Sequence, residues 1–247
     1  MSNVTSPHVV DCHALADEKP PAGTSTRDAL PPTGRSPLSM QVTRLRKGSP
    51  LTLTARDADI ALFVFDGVAD ATVDSASRLL PRGGAMFVVD GATATVSTES
   101  EATLFHFVID GSADSHAPLG APAVFAALDF SDTSAATCDR EFQILFDASN
   151  GSRHATIFGG MVPPGAAPWH FHQYDEILVT LEGEGKFHFE DMVHPVSRGC
   201  AFRIPARHLH INENASDVEE MMVLGIFTPA GSPAAAYLPR AGRPHSV

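Results

Sequence analysis

From about residue 40 onward, apolar residues come in runs of four to eight separated by Gly, Pro, Asp and Asn. LTLTA (51–55), IALFVF (60–65), AMFVV (85–89), ATATV (92–96) and LFHFVI (104–109) form a first series. ATIFGGMV (155–162), EILVTL (176–181), KFHF (186–189), AFRI (201–204) and MMVLGIF (221–227) form a second. Runs of this length, bounded by turn residues, predict β-strands, and their number predicts an all-β sandwich or barrel. Stretches with helical period are scarce. APAVFAALDF at 121–130 is the best candidate for a short helix or an inter-domain connection. Residues 1–38, rich in Pro, Ser, Thr, Asp and Gly, predict an irregular arm: a loose leader, or a strap on the body or on a partner subunit.

The two series resemble each other. EILVTLEG at 176–183 aligns with IALFVFDG at 60–67 at an offset of 116 residues. Further on, Gly199 followed by CAFRIP aligns with Gly84 followed by AMFVVD at an offset of 115. Such a repeat implies two related β-units joined by a Gly/Ala/Ser-rich connector.

Composition narrows the function classes. The 247 residues hold 17 Lys and Arg against 29 Asp and Glu, a formal net charge of −12. That balance argues against a phosphate-binding face for nucleic acid and against an anionic membrane surface. Cys12, Cys138 and Cys200 are far apart with no C-x-x-C pair, which excludes a disulfide framework and fits a reducing compartment. No apolar run approaches the ~20 residues of a membrane helix. The start of the chain lacks a basic stretch followed by an apolar one, the mark of a secretory signal. The expectation is a soluble, cytoplasmic protein with no nucleic-acid or membrane partner.

The candidate chemistry lies in PPGAAPWHFHQYDEILVTLEGEG, 163–185. On a strand, period 2 points His170 and His172 to one face. A break around Gln173–Asp175 would let the next strand bring Glu176 alongside them. His210, in IPARHLHINEN, is a further candidate. Three imidazoles and one carboxylate suit Fe(II), Mn(II), Co(II), Ni(II), Cu(II) or Zn(II) and leave coordination positions open. His208 shares the parity of His210, either as an acid/base group or as a rim histidine. His188 reads as a plain strand residue, His154 and His194 as surface, and Trp169 as core. Arg203 reads as outward-facing or as a carboxylate clamp, and Cys200 as a small buried hydrophobe.

The pattern G-x(4)-H-x-H-x(3)-E-x(6)-G at Gly165–Gly183 resembles the first cupin motif. Gly199-x(5)-Pro205-x(4)-His210-x(3)-Asn214 resembles the second. There are two departures. The spacing before the first His is four rather than five, and Arg207 replaces a turn glycine, so the backbone there must avoid the left-handed region or be strained. The resemblance implies two cupin (double-stranded β-helix, jelly-roll-like) barrels in tandem, a bicupin. Its parts would be an arm (1–38), a degenerate barrel without ligands (39–115), a connector (116–139), a metal-binding barrel (140–235) and a tail (236–247). By the repeat's offsets, Thr54, Arg56 and Ile60 stand where His170, His172 and Glu176 stand, and Thr95 where His210 stands.

The resemblance therefore implies one divalent transition metal per chain, on His170, His172, Glu176 and His210. Fe(II) is the first choice, with Mn, Ni, Cu or Zn as alternatives. Glu176 and His208 are the candidate catalytic groups. The implied function is a dioxygenase- or oxidase-type reaction on a small organic molecule. The alternatives are a non-redox isomerase, lyase or cyclase at the same site, and a non-catalytic small-ligand-binding bicupin. A homodimer is a further expectation.

Overall fold

The structure is a computed structural model, and it describes residues 9–17, 23–34, 36–136, 139–235 and 237. Its first half runs β1 (Val9–Asp11), α1 (Cys12–Asp17), β2 (Ser25–Leu30), β3 (Leu38–Arg46), β4 (Leu51–Thr54), β5 (Ala58–Val73), β6 (Ala76–Pro81), β7 (Gly84–Val88), β8 (Thr93–Ser97) and β9 (Glu101–Asp110). The second runs β10 (Phe125–Ala127), β11 (Ser134–Ala135), β12 (Glu141–Phe146), β13 (Thr156–Val162), β14 (Gly165–Ala166), β15 (Asp175–Glu182), β16 (Glu184–Phe189), β17 (Met192–Ser197), β18 (Cys200–Ile204), β19 (His210–Asn214) and β20 (Met221–Thr228). All ten apolar runs fall in strands, as the pattern predicts. The tail beyond 237 lies outside the described residues, as does Cys138.

Each half is a larger sheet curled against a smaller one. The larger sheets run β7-β5-β9-β3-β2 and β18-β15-β20-β13-β12. The smaller ones run β14-β19-β16-β17 in the second half and, in the first, β4-β8 continued onto the C-terminal part of β5 and β6. The register matches residue for residue. Ile60 pairs with Val88 and Glu176 with Ile204. Val73 pairs with Ala94 and Phe189 with His210. All these positions differ by 116. The turn glycines Gly67 and Gly183, at φ 84° and 89°, also correspond, as do the bulges at Val64/Asp66 and Thr180/Glu182.

The same register corrects one step of the sequence alignment. Gly83 and Gly199 donate to equivalent carbonyls, those of Val64 and Thr180. The partner of Gly199 is therefore Gly83, not Gly84, and the offset stays at 116. A slip of one residue turns a strand position to the opposite face. The counterpart of His210 is thus buried Ala94, not exposed Thr95. Likewise Leu53 pairs with Ala94 as His170 bridges His210, so Leu53 stands for His170 in place of exposed Thr54. Two residues on, buried Ala55 replaces exposed Arg56 as the counterpart of His172. Ile60 keeps its expected place. The first half thus carries an apolar set at these positions, continuous with its core.

The arm and the connector also depart from expectation. Residues 9–17 and 25–30, expected to be irregular, form β1, α1 and β2. Residues 121–130 hold no helix. Pro122 and the short apolar stretch suit an extended edge better than a helical turn, and Phe125–Ala127 pair with β7. β1 covers the edge of β18 in the second half, and β10 covers the equivalent edge of β7 in the first. Each leading strand therefore closes an edge of the half to which it does not belong in sequence. Covered edges cannot pair with another chain.

β5 and β15 are buried on both faces, which is why they read as unbroken apolar runs. Ile60, Leu62 and Val64 fill the first half. Ala61, Phe63 and Phe65 meet Ile177, Val179 and Leu181 in a core shared by both halves. At its rim, Arg198 donates to both oxygens of Asp66 at 2.6 and 3.2 Å and lies over Phe65. The equivalent pair, Arg82 and Glu182, also forms an ion pair, and Arg198 reaches Glu182 at 3.6 Å. Exposed ion pairs contribute about 0–1 kcal/mol, whereas burying one Phe side chain is worth roughly 1.5–3 kcal/mol. The aromatic core holds the halves together, and the paired charges set their register.

Arg203 lies in this junction and not in a substrate pocket, which corrects the clamp reading. Its guanidinium donates to the carbonyls of Leu38 at 2.9 Å, Pro31 at 3.0 Å and Leu30 at 3.5 Å. Arg203→Leu leaves those carbonyls unpaired, so urea unfolding should show a loss of about 2–4 kcal/mol with metal content unchanged. An unfolding midpoint equal to wild type would refute this role.

Candidate metal centre

The site lies inside the second half, between the start of β15, which carries Glu176, and that of β19, which opens on His210. Chain direction changes at Gln173 and Tyr174, between the His-x-His segment and β15. That bend turns Glu176 inward beside the imidazoles, as the spacing suggests. His170 is bridged to His210 by main-chain hydrogen bonds in both directions, at 3.0 and 3.3 Å. All four side chains are buried. His172, Glu176 and His210 offer ligand atoms that all lie within 4.8 Å of one another. The His170 ring stands 4.4 Å, centroid to centroid, from that of His210.

The hydrogen bonds fix which nitrogen of each ring is free. Nδ1 of His170 donates to the carbonyl of Pro168 at 3.0 Å, Nδ1 of His172 to that of Tyr174 at 2.8 Å, and Nδ1 of His210 to that of His208 at 2.9 Å. A carbonyl can only accept, so each Nδ1 carries the hydrogen and each neutral Nε2 presents a lone pair. The Nε2 of His172 is buried without a hydrogen-bond partner, yet lies 2.9 Å from Oε2 of Glu176. With the ring neutral, a lone pair faces a carboxylate, a contact that a cation shared by the two groups would relieve. Backbone carbonyls orienting the far nitrogens of ligand imidazoles are the usual support of a metal site. The donor set fits a divalent transition metal.

Burial lowers the pKa of His170, helped by the charge of Arg140, and lowers that of His210 well below its ordinary value, helped by His170 and His172. Both rings are therefore neutral near pH 7, the form that ligates. The Tyr174 phenol is pushed up by burial and then by Glu176, and it keeps its proton. Its ring is stacked between His172 and Phe227, at 4.1 and 3.9 Å.

Around the site is a cavity of about 80 Å³ with an apolar wall that includes Phe142, Phe158, Leu178, Ile204 and Val223. His208 is not part of its lining. It is half-buried, stacked on Phe189, with Nε2 3.9 Å from Glu190. Parity was a poor guide there because β19 begins only at His210. His188 is bonded to Glu213 at 2.6 Å, with Trp169 edge-on against it rather than in the core. Arg207 adopts φ 67°, the left-handed conformation of the glycine it replaces. It is held there as its N–H donates to the carbonyl of His172 at 2.7 Å and its Nε to Gln173 at 3.0 Å. Asn214 closes the following turn, bonded to Val162, Glu219 and Ser216.

Three polar lining residues escape the sequence reading, Arg140, Glu141 and Asn212. Asn212 had a signal, since it shares parity with His210 and Asn214. Arg140 had none, because it precedes β12 in a segment without periodicity.

Residues 160–227 match the family model described as Cupin domain. No curated protein matches the chain in sequence. Among solved structures, the chain is similar to a cupin 2 conserved barrel domain protein from Leptotrichia buccalis, at 14% identity over 92% of this chain and 99% of that one, TM-score 0.66. It is similar to AerE from Microcystis aeruginosa, at 12% identity over 90% and 99%, TM-score 0.69. It is also similar to a variant of oxalate decarboxylase from Bacillus subtilis, at 15% identity over 96% and 80%, TM-score 0.70. At such identities the likeness concerns the fold.

Proposed function

We propose that this chain, a cupin-fold protein whose residues 160–227 carry the cupin domain, is a metal-dependent enzyme acting on a small organic molecule. The observation that carries this reading is the buried triad of His172, Glu176 and His210, with a lone pair of His172 facing the carboxylate. His170, whose ring lies beside that of His210 but outside this triad, is our proposed fourth ligand. A divalent metal held there supplies Lewis acidity and open coordination positions and, as iron or copper, redox chemistry with O₂. We favour an oxidase- or dioxygenase-type reaction. The first half is read as a duplicated cupin whose ligand positions became Leu53, Ala55, Ile60 and Ala94, so that chemistry belongs to one half only.

The chain's own residues divide the remaining work. The three main-chain carbonyls hold the imidazoles in the ligating tautomer. The apolar wall excludes water, which strengthens every charge inside. Glu176 is the group placed to take or return a substrate proton at a carboxylate oxygen, a role that does not pass to His208. Tyr174, kept neutral by burial, can donate or accept a hydrogen bond but does not act as a phenolate base.

Metal analysis of protein from metal-replete growth, with oxygen uptake on a panel of small acids and enols, tests the reading. The expected result is about one equivalent of metal per chain and turnover that stops without air. Turnover that continues without air on zinc would move the assignment to a non-redox isomerase, lyase or cyclase. Metal below about 0.3 equivalents would refute the metal centre.

A further inference from the structure

Asn212 is 7% exposed and lines the metal-site cavity, yet neither its Nδ2 nor its Oδ1 has a hydrogen-bond partner. Leaving both ends of a buried amide unpaired costs about 1–3 kcal/mol per group. The main chain gives no reason for that cost, since β19 needs no polar side chain here and the equivalent residue of the first half is buried Val96. The adjacent inward residue Asn214 is fully bonded, so the unpaired amide is particular to position 212. Arg140 lines the same cavity, and its positive charge is felt at His170, Tyr174 and His210. Exposed Glu141, which accepts from the Thr133 hydroxyl, also lines the cavity; apart from the candidate ligands the rest of the wall is largely apolar, and the space is about 80 Å³.

From these observations we infer that the pocket binds a small 2-hydroxycarboxylate and that Asn212 is its specificity-determining residue. The inference rests on the reading of this pocket as the substrate site. An amide offers one donor and one acceptor side by side. A bare carboxylate has only acceptors and would leave Oδ1 unpaired. A carboxylate with a neighbouring hydroxyl satisfies both: a carboxylate oxygen accepts from Nδ2, and the hydroxyl donates to Oδ1. Arg140 supplies the countercharge for the anion, and the volume limits the ligand to a few heavy atoms. A site built to pair a hydroxyl rejects the analogue that lacks it, because the protein group is then left buried and unpaired.

The test compares glycolate with acetate, binding being read by calorimetry and by thermal shift on metal-loaded and on EDTA-treated protein. Wild type is expected to bind glycolate about tenfold more tightly than acetate in both forms. Asn212→Leu should bring the two acids within about twofold of each other, with Asn212→Ala as the second variant should the leucine melt early. Arg140→Gln should weaken both acids by a similar factor and leave their ratio intact. A glycolate preference that survives in Asn212→Leu comes from chelation or from elsewhere and overturns the inference. The two readings fail separately. If the protein takes up no metal but the ratio in EDTA still depends on Asn212, the metal centre falls and the ligand class stands. If metal binds at one equivalent and the ratio ignores Asn212, the reverse holds.

Discussion

His172→Ala is expected to reduce bound metal from about one equivalent to below about 0.1, with an affinity loss greater than the 10–100-fold seen when only a supporting partner of a ligand is removed. The variant deletes the ring nitrogen that lies 2.9 Å from Glu176 and leaves His210 as the one other histidine grouped with the carboxylate. The effect on stability should depend on the metal. In EDTA the variant loses the hydrogen bond to the Tyr174 carbonyl and the ring stacked on Tyr174, a cost that does not vary with metal concentration. In excess metal, wild type gains the binding free energy and the variant does not, so their melting temperatures separate. Thr54→Ala and Arg56→Ala serve as controls, because both positions are exposed on the first half and neither faces its core. Acid should release the metal from wild type. The free imidazoles of His170 and His210 have pKa values held below 6.5 by burial, so protons compete only below that value and retention is flat above it. A His172→Ala protein that keeps its metal, or a Thr54 variant that loses it, would refute the one-site assignment.

How much of this was legible in the sequence depends on which contacts decide each feature. The strands were legible because both faces of β5 and β15 are buried, and an unbroken apolar run needs no partner to be recognised. The candidate site was legible because His170, His172 and Glu176 lie within one short segment and His210 lies in a spaced motif, and His172, Glu176 and His210 come together in the fold. The repeat was legible, but its register near Gly83 was not. GG at 83–84 offers two glycines, and only the hydrogen bond to Val64 shows which one opens the strand. That one residue moved the counterpart of His210 from buried Ala94 to exposed Thr95. The arm was misread for a related reason. STRDAL carries no apolar periodicity, and it becomes a strand only because β3 presents an edge to it. Arg203 looked like a surface or clamp residue because the packing of one half on the other is not written in either half alone.

Replacing His106 with leucine should remove a large part of the protein's acid sensitivity. His106 sits on β9, pointing into the first half, opposite Gln41 of β3 and Leu62 of β5. It is 1% exposed, and neither ring nitrogen has a partner. Burial lowers its pKa from 6.5 to about 4. The sign follows from linkage. Between pH 6.5 and 4 the unfolded chain binds a proton that the folded chain refuses, so stability falls as pH falls through that window and levels off below it. The span corresponds to about 3 kcal/mol. His106→Leu keeps an apolar group against Leu62 and has no proton to bind. Its stability at pH 7.5 should equal or exceed that of wild type, since the lost ring made no hydrogen bonds. Its urea midpoint should then fall less steeply toward pH 4. His170 and His210 titrate in both proteins and cancel in the difference, provided both are measured in EDTA. Parallel midpoint curves for the two proteins would mean that the folded interior already accommodates the charged ring, by water or by local opening, and would overturn the assignment of the acid-sensitive group to His106.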